Sequence, residues 1–427
     1  MSADHEAVIT AATTLDSGVL VDIGMVGDRI VAVEAAGTLS GSTMFDADGR
    51  LCIGAFVDAH CHLDKAYLEY EPECAGTYGD SFFAALRNRK KTVSFDEVTD
   101  RMRRAVHQVV LNGTGTMRAQ IDVDDLVGTT HLKAALALRD EVSSLCDLQL
   151  VVFPQEGLVG NPAAREAVEE ALELGADVMG GAHGFDRSVD NVDHLEACFE
   201  LAVAYDVDLD LHVDFDTAPD QEWEAWDLYQ VARLCSAHQW QKRVTVAHIT
   251  QHGQMSASKR TEMVAMLVDH GIHAVVVPGA ELHTARAWQT EAPATDVANA
   301  TADWPSLVAS GLELSYAGGH LADAFNPYGE GDMLRDGLLM ASARNLGDPL
   351  IEGCHVLTMG TVHPAHAIRG GGPYGVQIGA PADLVILDAP DADSALRRQA
   401  DRWLVFHRGR PVARSRTERV ITEATEQ

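Results

Sequence analysis

Gly54-Ala-Phe-Val-Asp-Ala-His-Cys-His-Leu-Asp-Lys65 is the stretch on which the reading of this chain turns. An apolar, β-favouring run from Leu51 to Val57 ends in two histidines, His60 and His62, one residue apart. On an extended strand, residues i and i+2 face the same side, so the two imidazoles converge at the strand's C-terminal end. That spacing suits a first-row divalent metal ion. The competing reading is that one histidine is structural and the other merely exposed. Cys61, between them, points to the opposite face and is expected to pack rather than ligate.

Outward from this stretch, short apolar segments alternate with amphipathic ones, the pattern of a parallel α/β architecture. Candidate strands are Gly115–Asp122, Leu148–Pro154, Asp177–His183, Asp208–Asp214, Val244–His248, Ile272–Pro278 and Leu312–Gly318. With the first they make about eight, the number that closes a (β/α)8 TIM barrel. Helical periodicity lies between them, as in Val192–Tyr205, where Leu195, Cys198, Phe199 and Ala202 share a face. Both ends of the chain are β-rich. Val19–Val26, the Gly27-Asp28 turn and Arg29–Glu34 read as a hairpin, and Gly375–Asp388 with Trp403–Ala413 as another turn-linked strand pair. The expected organisation is α/β: a (β/α)8 catalytic barrel over residues 51–369, with a small β-sandwich subdomain formed from residues 1–50 and 370–427.

At 427 residues the chain exceeds the usual single core, which agrees with a barrel plus a subdomain. The net charge of -32 argues against nucleic acid or an anionic membrane as partner, since phosphate binding needs clustered Lys and Arg. Seven cysteines are scattered singly (Cys52, Cys61, Cys74, Cys146, Cys198, Cys235, Cys354), with no C-x-x-C pair. Together with a start that lacks a basic and then apolar leader, this leads to the expectation of free thiols in a reducing cytoplasm. No apolar run reaches membrane-spanning length.

Functional side chains of a closed barrel sit at the C-terminal ends of its strands. The polar residues collected there are His60, His62, Gln120, Asp122, Gln155, Glu156, His183, His212, Asp214 and His248. A single histidine ending a strand is commonly a core or capping residue; histidines ending half the strands are hard to attribute to packing. His212 and His248 each follow an apolar run and are the best further partners of His60 and His62. His183 follows Gly-Gly-Ala and reads equally as a loop residue.

Asp58-Ala-His-Cys-His-Leu-Asp-Lys65, Phe153-Pro-Gln-Glu-Gly157, Leu211-His-Val-Asp214, Val244-Thr-Val-Ala-His248 and Asn326-Pro-Tyr-Gly-Glu-Gly-Asp-Met-Leu334 carry a resemblance to a known family. It is the metal-dependent amidohydrolases, in the branch of cytosine deaminase and N-isopropylammelide amidohydrolase. The likeness runs over nearly the whole length. It implies a hydrolase that uses metal-activated water on a C–N bond (amide, amidine or N-substituted) of a small cyclic or heterocyclic molecule. It also implies one divalent transition metal ion, zinc or iron first and manganese, cobalt or nickel next, on His60, His62 and His212. His248 would orient or activate the water, and Gln155 would hold the substrate ring, with Phe215 and Phe325 as further substrate contacts. The expected partners are a small-molecule substrate and further copies of the chain in a homo-oligomer.

Two positions depart from the family pattern. The glutamate that follows His-x-Asp on strand five, a proton shuttle, is here Phe215. The aspartate ending strand eight falls on Gly319, with His320 beside it; Asp323 corresponds to a different family aspartate. General acid–base groups contribute roughly two to four orders of magnitude in rate, so deaminase activity is in question unless something replaces them. Asp214, Asp216, His248 and His320 are the candidates. The alternative is a divergent, non-hydrolytic or inactive barrel that binds a small heterocycle, or an enzyme whose reaction is metal-free.

Overall fold

A computed structural model describes residues 5–15, 18–70, 80–186, 189–215, 217, 220–284, 304–343 and 353–421. Strands β1 (His5–Ala12), β2 (Val21–Val26), β3 (Arg29–Ala35) and β4 (Gly41–Asp46) form a sheet of order β3-β2-β1-β4. The expected hairpin is β2–β3, antiparallel with Met25 opposite Ile30 across a register shift. The apolar run that opens on Leu51 is not one strand but two. Strand β5 (Leu51–Gly54) leaves the barrel and β6 (Phe56–Cys61) begins it, with Ala55 donating its backbone N–H to Asp383 between them.

Strands β7 (Thr114–Asp122), β8 (Asp147–Phe153), β9 (Val178–Ala182), β10 (Asp208–His212), β11 (Val244–Ala247), β12 (His273–Val276) and β13 (Leu314–Tyr316) complete an eight-stranded parallel sheet in sequence order. Helices alternate with them, as Phe95–Leu111 before β7 and Asn191–Tyr205 before β10. The latter buries Leu195, Cys198, Phe199 and Ala202, the face read from its periodicity. The sheet closes where Cys61 bridges Gly319 in parallel and His62 N–H donates to Gly319 O at 2.7 Å. Cys61 is fully buried in the hydrophobic core, as its strand position requires.

From the C-terminal part, β14 (Leu384–Leu387), β15 (Arg402–His407) and β16 (Arg410–Ala413) form an antiparallel sheet of order β16-β15-β14-β5. It shares a core with the first sheet: Ile9, Ile23 and Met25 of one pack with Cys52, Leu384, Ile386 and Phe406 of the other. Phe45 and Phe406 meet edge to face at 5.1 Å. Among the described residues, no helix is long and apolar enough to cross a membrane.

Gly319 seals the barrel under constraint. Its φ is 68°, and a Cβ there would stand 2.1 Å from Val277 Cγ1. Strained backbone and overpacking each cost about 1–3 kcal/mol. Gly319→Ala is therefore expected to destabilise the protein by about 2–4 kcal/mol, read from the urea midpoint at an unchanged m-value. A loss below about 0.5 kcal/mol would contradict the crowding at this closure.

Candidate metal centre

Strand alternation aims one layer of polar side chains at the barrel axis and carries it past the strand ends. His60 lies in β6, His62 follows that strand, His212 ends β10 and His248 follows β11. One ring nitrogen from each of these four lies within 4.8 Å of the others. His212 Nε2 stands 3.1 Å from His60 Nε2 and 3.0 Å from His62 Nε2. His248 reaches the group from a left-handed backbone, φ 63°, and stacks on His212 with ring centres 5.0 Å apart.

The layer beneath fixes the first imidazole. His60 Nδ1 lies 2.9 Å from Asp210 Oδ1, so its proton is donated there and the Nε2 lone pair faces the cluster. Asp210 is held in turn by Gln120 Nε2 at 3.0 Å and Arg118 Nη1 at 3.2 Å. Burial alone would favour its protonation, but His60 and Arg118 outweigh that and keep its carboxyl below the ordinary range. Burial, and then the charges of their neighbours, push His62 and His212 well below the ordinary 6.5, so both are neutral.

This donor set fits a metal ion. The Nε2 atoms of three imidazoles converge at 3.0 and 3.1 Å, and Nδ1 of His212 is buried without a partner among the described residues, so its ring is free to present the Nε2 lone pair to a shared ion. Nitrogens about 2.0–2.1 Å from a shared zinc stand roughly 3.0–3.4 Å from each other, the separation seen here.

The departures at strands five and eight acquire a shape. Gly319 presents only backbone, and its crowding by Val277 leaves no room for an aspartate. His320, the next residue, lies flat against His62 with ring centres 4.6 Å apart and planes 12° apart. Its Nδ1 is 2.7 Å from Asp323 Oδ2, so the carboxylate sets the tautomer and turns Nε2 away from itself. Phe325 also stacks on His320, with ring centres 4.9 Å apart. Phe215, in the position of the strand-five glutamate, meets Phe185 at 5.5 Å; Phe185 meets Phe83, and Phe83 meets Phe325, at 5.3 and 5.9 Å. Aromatic rings thus run from the loop after β10 to the loop after β13.

Asp214 is placed elsewhere than its neighbour His212. With φ 53° its backbone turns, and its carboxyl accepts the N–H groups of Asp227 and Leu228 at 2.9 Å and the Thr217 hydroxyl at 3.0 Å. It therefore anchors the first turn of helix Asp227–Ala237, and burial together with Asp227 raises its pKa. His183 Nδ1 lies 3.2 Å from Asp227 and outside the histidine group. Asp216 lies outside the described residues. Gln155 follows β8, whose last residue, Phe153, stacks on His212 at 4.6 Å. Asp210 and Arg118 escape a reading by strand ends because they sit one layer down. The signal for Asp210 was its place two residues before His212, on the same inward face.

Residues 76–413 match the profile described as the amidohydrolase family. The chain is 27% identical over 420 residues to the N-isopropylammelide isopropyl amidohydrolase of Pseudomonas sp. (strain ADP), covering 97% of this chain and 98% of that one. The structure of 5-methylcytosine deaminase from Klebsiella pneumoniae liganded with 5-fluorocytosine superposes with a TM-score of 0.87 at 26% identity, covering 98% and 100%. N-isopropylammelide isopropylaminohydrolase from Burkholderia multivorans gives a TM-score of 0.82 at 24% identity, covering 97% and 99%, a likeness of fold.

Two outcomes follow from this geometry. Loss of the Asp210 contact should weaken transition-metal affinity about 10- to 100-fold in Asp210→Asn, measured by competition with a chelator; unchanged affinity would remove Asp210 from the site. In the metal-free protein, the native state keeps His62 and His212 neutral while the unfolded chain protonates them near 6.5. The native state then binds fewer protons, so stability is present above that pH and lost as pH falls below it, by up to about 3 kcal/mol per unit. Urea midpoints at pH 7.5 and 5.5 test this against the His62→Gln/His212→Gln double variant, which should lack that part of the slope.

Proposed function

Since the chain belongs to the amidohydrolase family, we propose that it is a metal-dependent hydrolase that cleaves an exocyclic C–N bond of a small nitrogen heterocycle. The observation that carries this reading is the convergence of the His60, His62 and His212 Nε2 atoms at 3.0 and 3.1 Å beside the His320–Asp323 pair. His60, His62 and His212 would hold one divalent transition ion, zinc or iron first, with manganese, cobalt or nickel as further candidates, and His248 stands beside them. When bound, such an ion supplies Lewis-acid activation of water and of the ring carbon's substituents.

The remaining chemistry belongs to the chain. His320 presents Nε2 as a base because Asp323 accepts from Nδ1, and the same carboxylate stabilises the imidazolium that forms once a proton is taken. One proton passes from the attacking water to His320 Nε2 and from there to the departing nitrogen. The C–N bond breaks, a C–O bond forms, and the products are a hydroxy- or oxo-heterocycle and a free amine. His320 would thereby do the work of both carboxylates absent at Phe215 and Gly319. Gln155 would hold the ring. Phe215 and Phe325 would exclude water and favour a leaving nitrogen that carries an apolar substituent over bare ammonia. Asp214 is assigned to holding the loop after β10 rather than to proton transfer.

Protein purified without chelators should carry about one equivalent of transition metal and turn over at least one member of a panel of N-alkylamino-pyrimidines, N-alkylamino-triazines, cyclic ureas and imides. His320→Asn should lower kcat about 10²- to 10⁴-fold with KM little changed. Full activity in His60→Ala would sink the metal-dependent reading, and full activity in His320→Asn would sink the proton-transfer assignment. A metal-loaded protein that binds panel members without turnover would favour a binding barrel instead.

A further inference from the structure

Beneath the loop that carries Gln155, a buried charge network connects the histidine site to the helix Asp80–Lys90. Lys65 Nζ is 2.6 Å from Asp122 Oδ1 and 3.5 Å from His62 Nδ1. The other oxygen of Asp122 lies 2.8 Å from Lys90 Nζ, which also reaches Asp124 Oδ2 at 2.7 Å. Lys90 is the last residue of its helix, and its side chain is 1% exposed. Burial would strip its charge, but Asp122, Asp124 and Glu156 more than compensate and keep it a cation.

Two of its three N–H bonds are engaged by Asp122 and Asp124. The third is directed between Glu156 Oε1 at 3.4 Å and Gln155 Oε1 at 3.5 Å. An ammonium group donates and cannot accept, so the edge of the Gln155 amide that faces it must be the carbonyl oxygen. The reversed amide would set an NH2 group against a buried positive charge. The backbone leaves little slack: Gln155 N–H donates to Phe153 O at 3.0 Å, and the turn ends at Gly157 with φ 95°, where a Cβ would stand 2.8 Å from Asp186 Oδ1. Gln155 is 4% exposed, and the hydrogen bond its amide makes is through Oε1, to Lys90. The amide NH2 is then left for a ligand to satisfy.

We propose that Lys90 is a specificity-determining positioning residue: by holding the Gln155 oxygen it commits the amide NH2 to the pocket, so that the site selects rings presenting a hydrogen-bond acceptor there. The acceptor is a ring carbonyl oxygen; an amino group at that place meets donor with donor. This rests on the reading of the histidine site as one for nitrogen heterocycles and names which members of that class it admits. Lys90 touches no substrate and acts only through Gln155. The polarity of the contact is set from a helix that lies outside the barrel strands.

The test uses two probes, cytosine with a carbonyl at C2 and 2,4-diaminopyrimidine with an amino group there and no proton on N1, titrated calorimetrically at pH 8.5 into the metal-loaded protein. The carbonyl probe should bind on the order of 10- to 100-fold more tightly, the penalty expected for leaving or opposing a buried donor. In Lys90→Met the amide can rotate, and the ratio should fall towards one. Lys90→Arg, which again only donates, should restore it. Because Lys90→Met strands two buried carboxylates and can fail to fold, Gln155→Glu is the second variant. It keeps a partner for Lys90, removes the donor, and should bring the carbonyl preference to one or reverse it. Equal binding of the two probes by the unaltered protein, binding of neither, or a ratio unchanged in both Lys90→Met and Gln155→Glu overturns the proposal. Selective binding without turnover of any ring would instead remove the hydrolase reading and leave the role of Lys90 standing.

Discussion

Three imidazoles crowded onto one point are the constraint on which this molecule is built. His60, His62 and His212 bring ring nitrogens within 3.0 and 3.1 Å. Three buried rings keep that convergence only because the scaffold fixes each of them. Closure of the sheet through Cys61 and Gly319 fixes β6, the pairing of β10 with β9 and β11 fixes His212, and Asp210 locks the His60 ring. Every layer below the site can be read as restraint on these imidazoles. A metal ion held by these nitrogens, as proposed, would give its binding a direct route to the stability of the whole barrel.

The strands of the barrel were legible because each is a short apolar run bounded by turns, and because histidines recur at their ends. The convergence of His60 and His62 was legible for a simpler reason: period two on a strand puts them on one side. Legibility failed wherever direction depended on backbone that no pattern encodes. The run from Leu51 is apolar throughout, so nothing in it marks the change of sheet at Ala55. Asp214 is two residues from His212, yet a left-handed φ turns its carboxyl to a neighbouring helix. The network of Lys65, Lys90, Asp122 and Asp124 joins residues from distant segments, and a single chain read in order gives no hint of such pairings.

The two departures from the family pattern are physically linked. A carboxylate at position 319 would need space that Val277 fills, and one at position 215 would face the aromatic arc from Phe185 to Phe325. Proton transfer by His320, as proposed, would lie in the loop after strand eight rather than the loop after strand five. It would also put an imidazole where the family pattern has an anion, which an apolar rim disfavours less. On this view Phe215, Gly319 and His320 form one solution, in which the loss of charge at two places is matched by a paired imidazole at a third.

The split at Ala55 has a consequence for the order in which the molecule can assemble. Strand β5 finds its hydrogen-bonding neighbour in β14, and Ala55 is held by Asp383 and by the Tyr374 hydroxyl, the latter 319 residues further along the chain. The segment bearing His60 and His62 is thus synthesised long before the strand that secures its root. A nascent chain would carry this histidine pair through that interval before the sheet that anchors it exists.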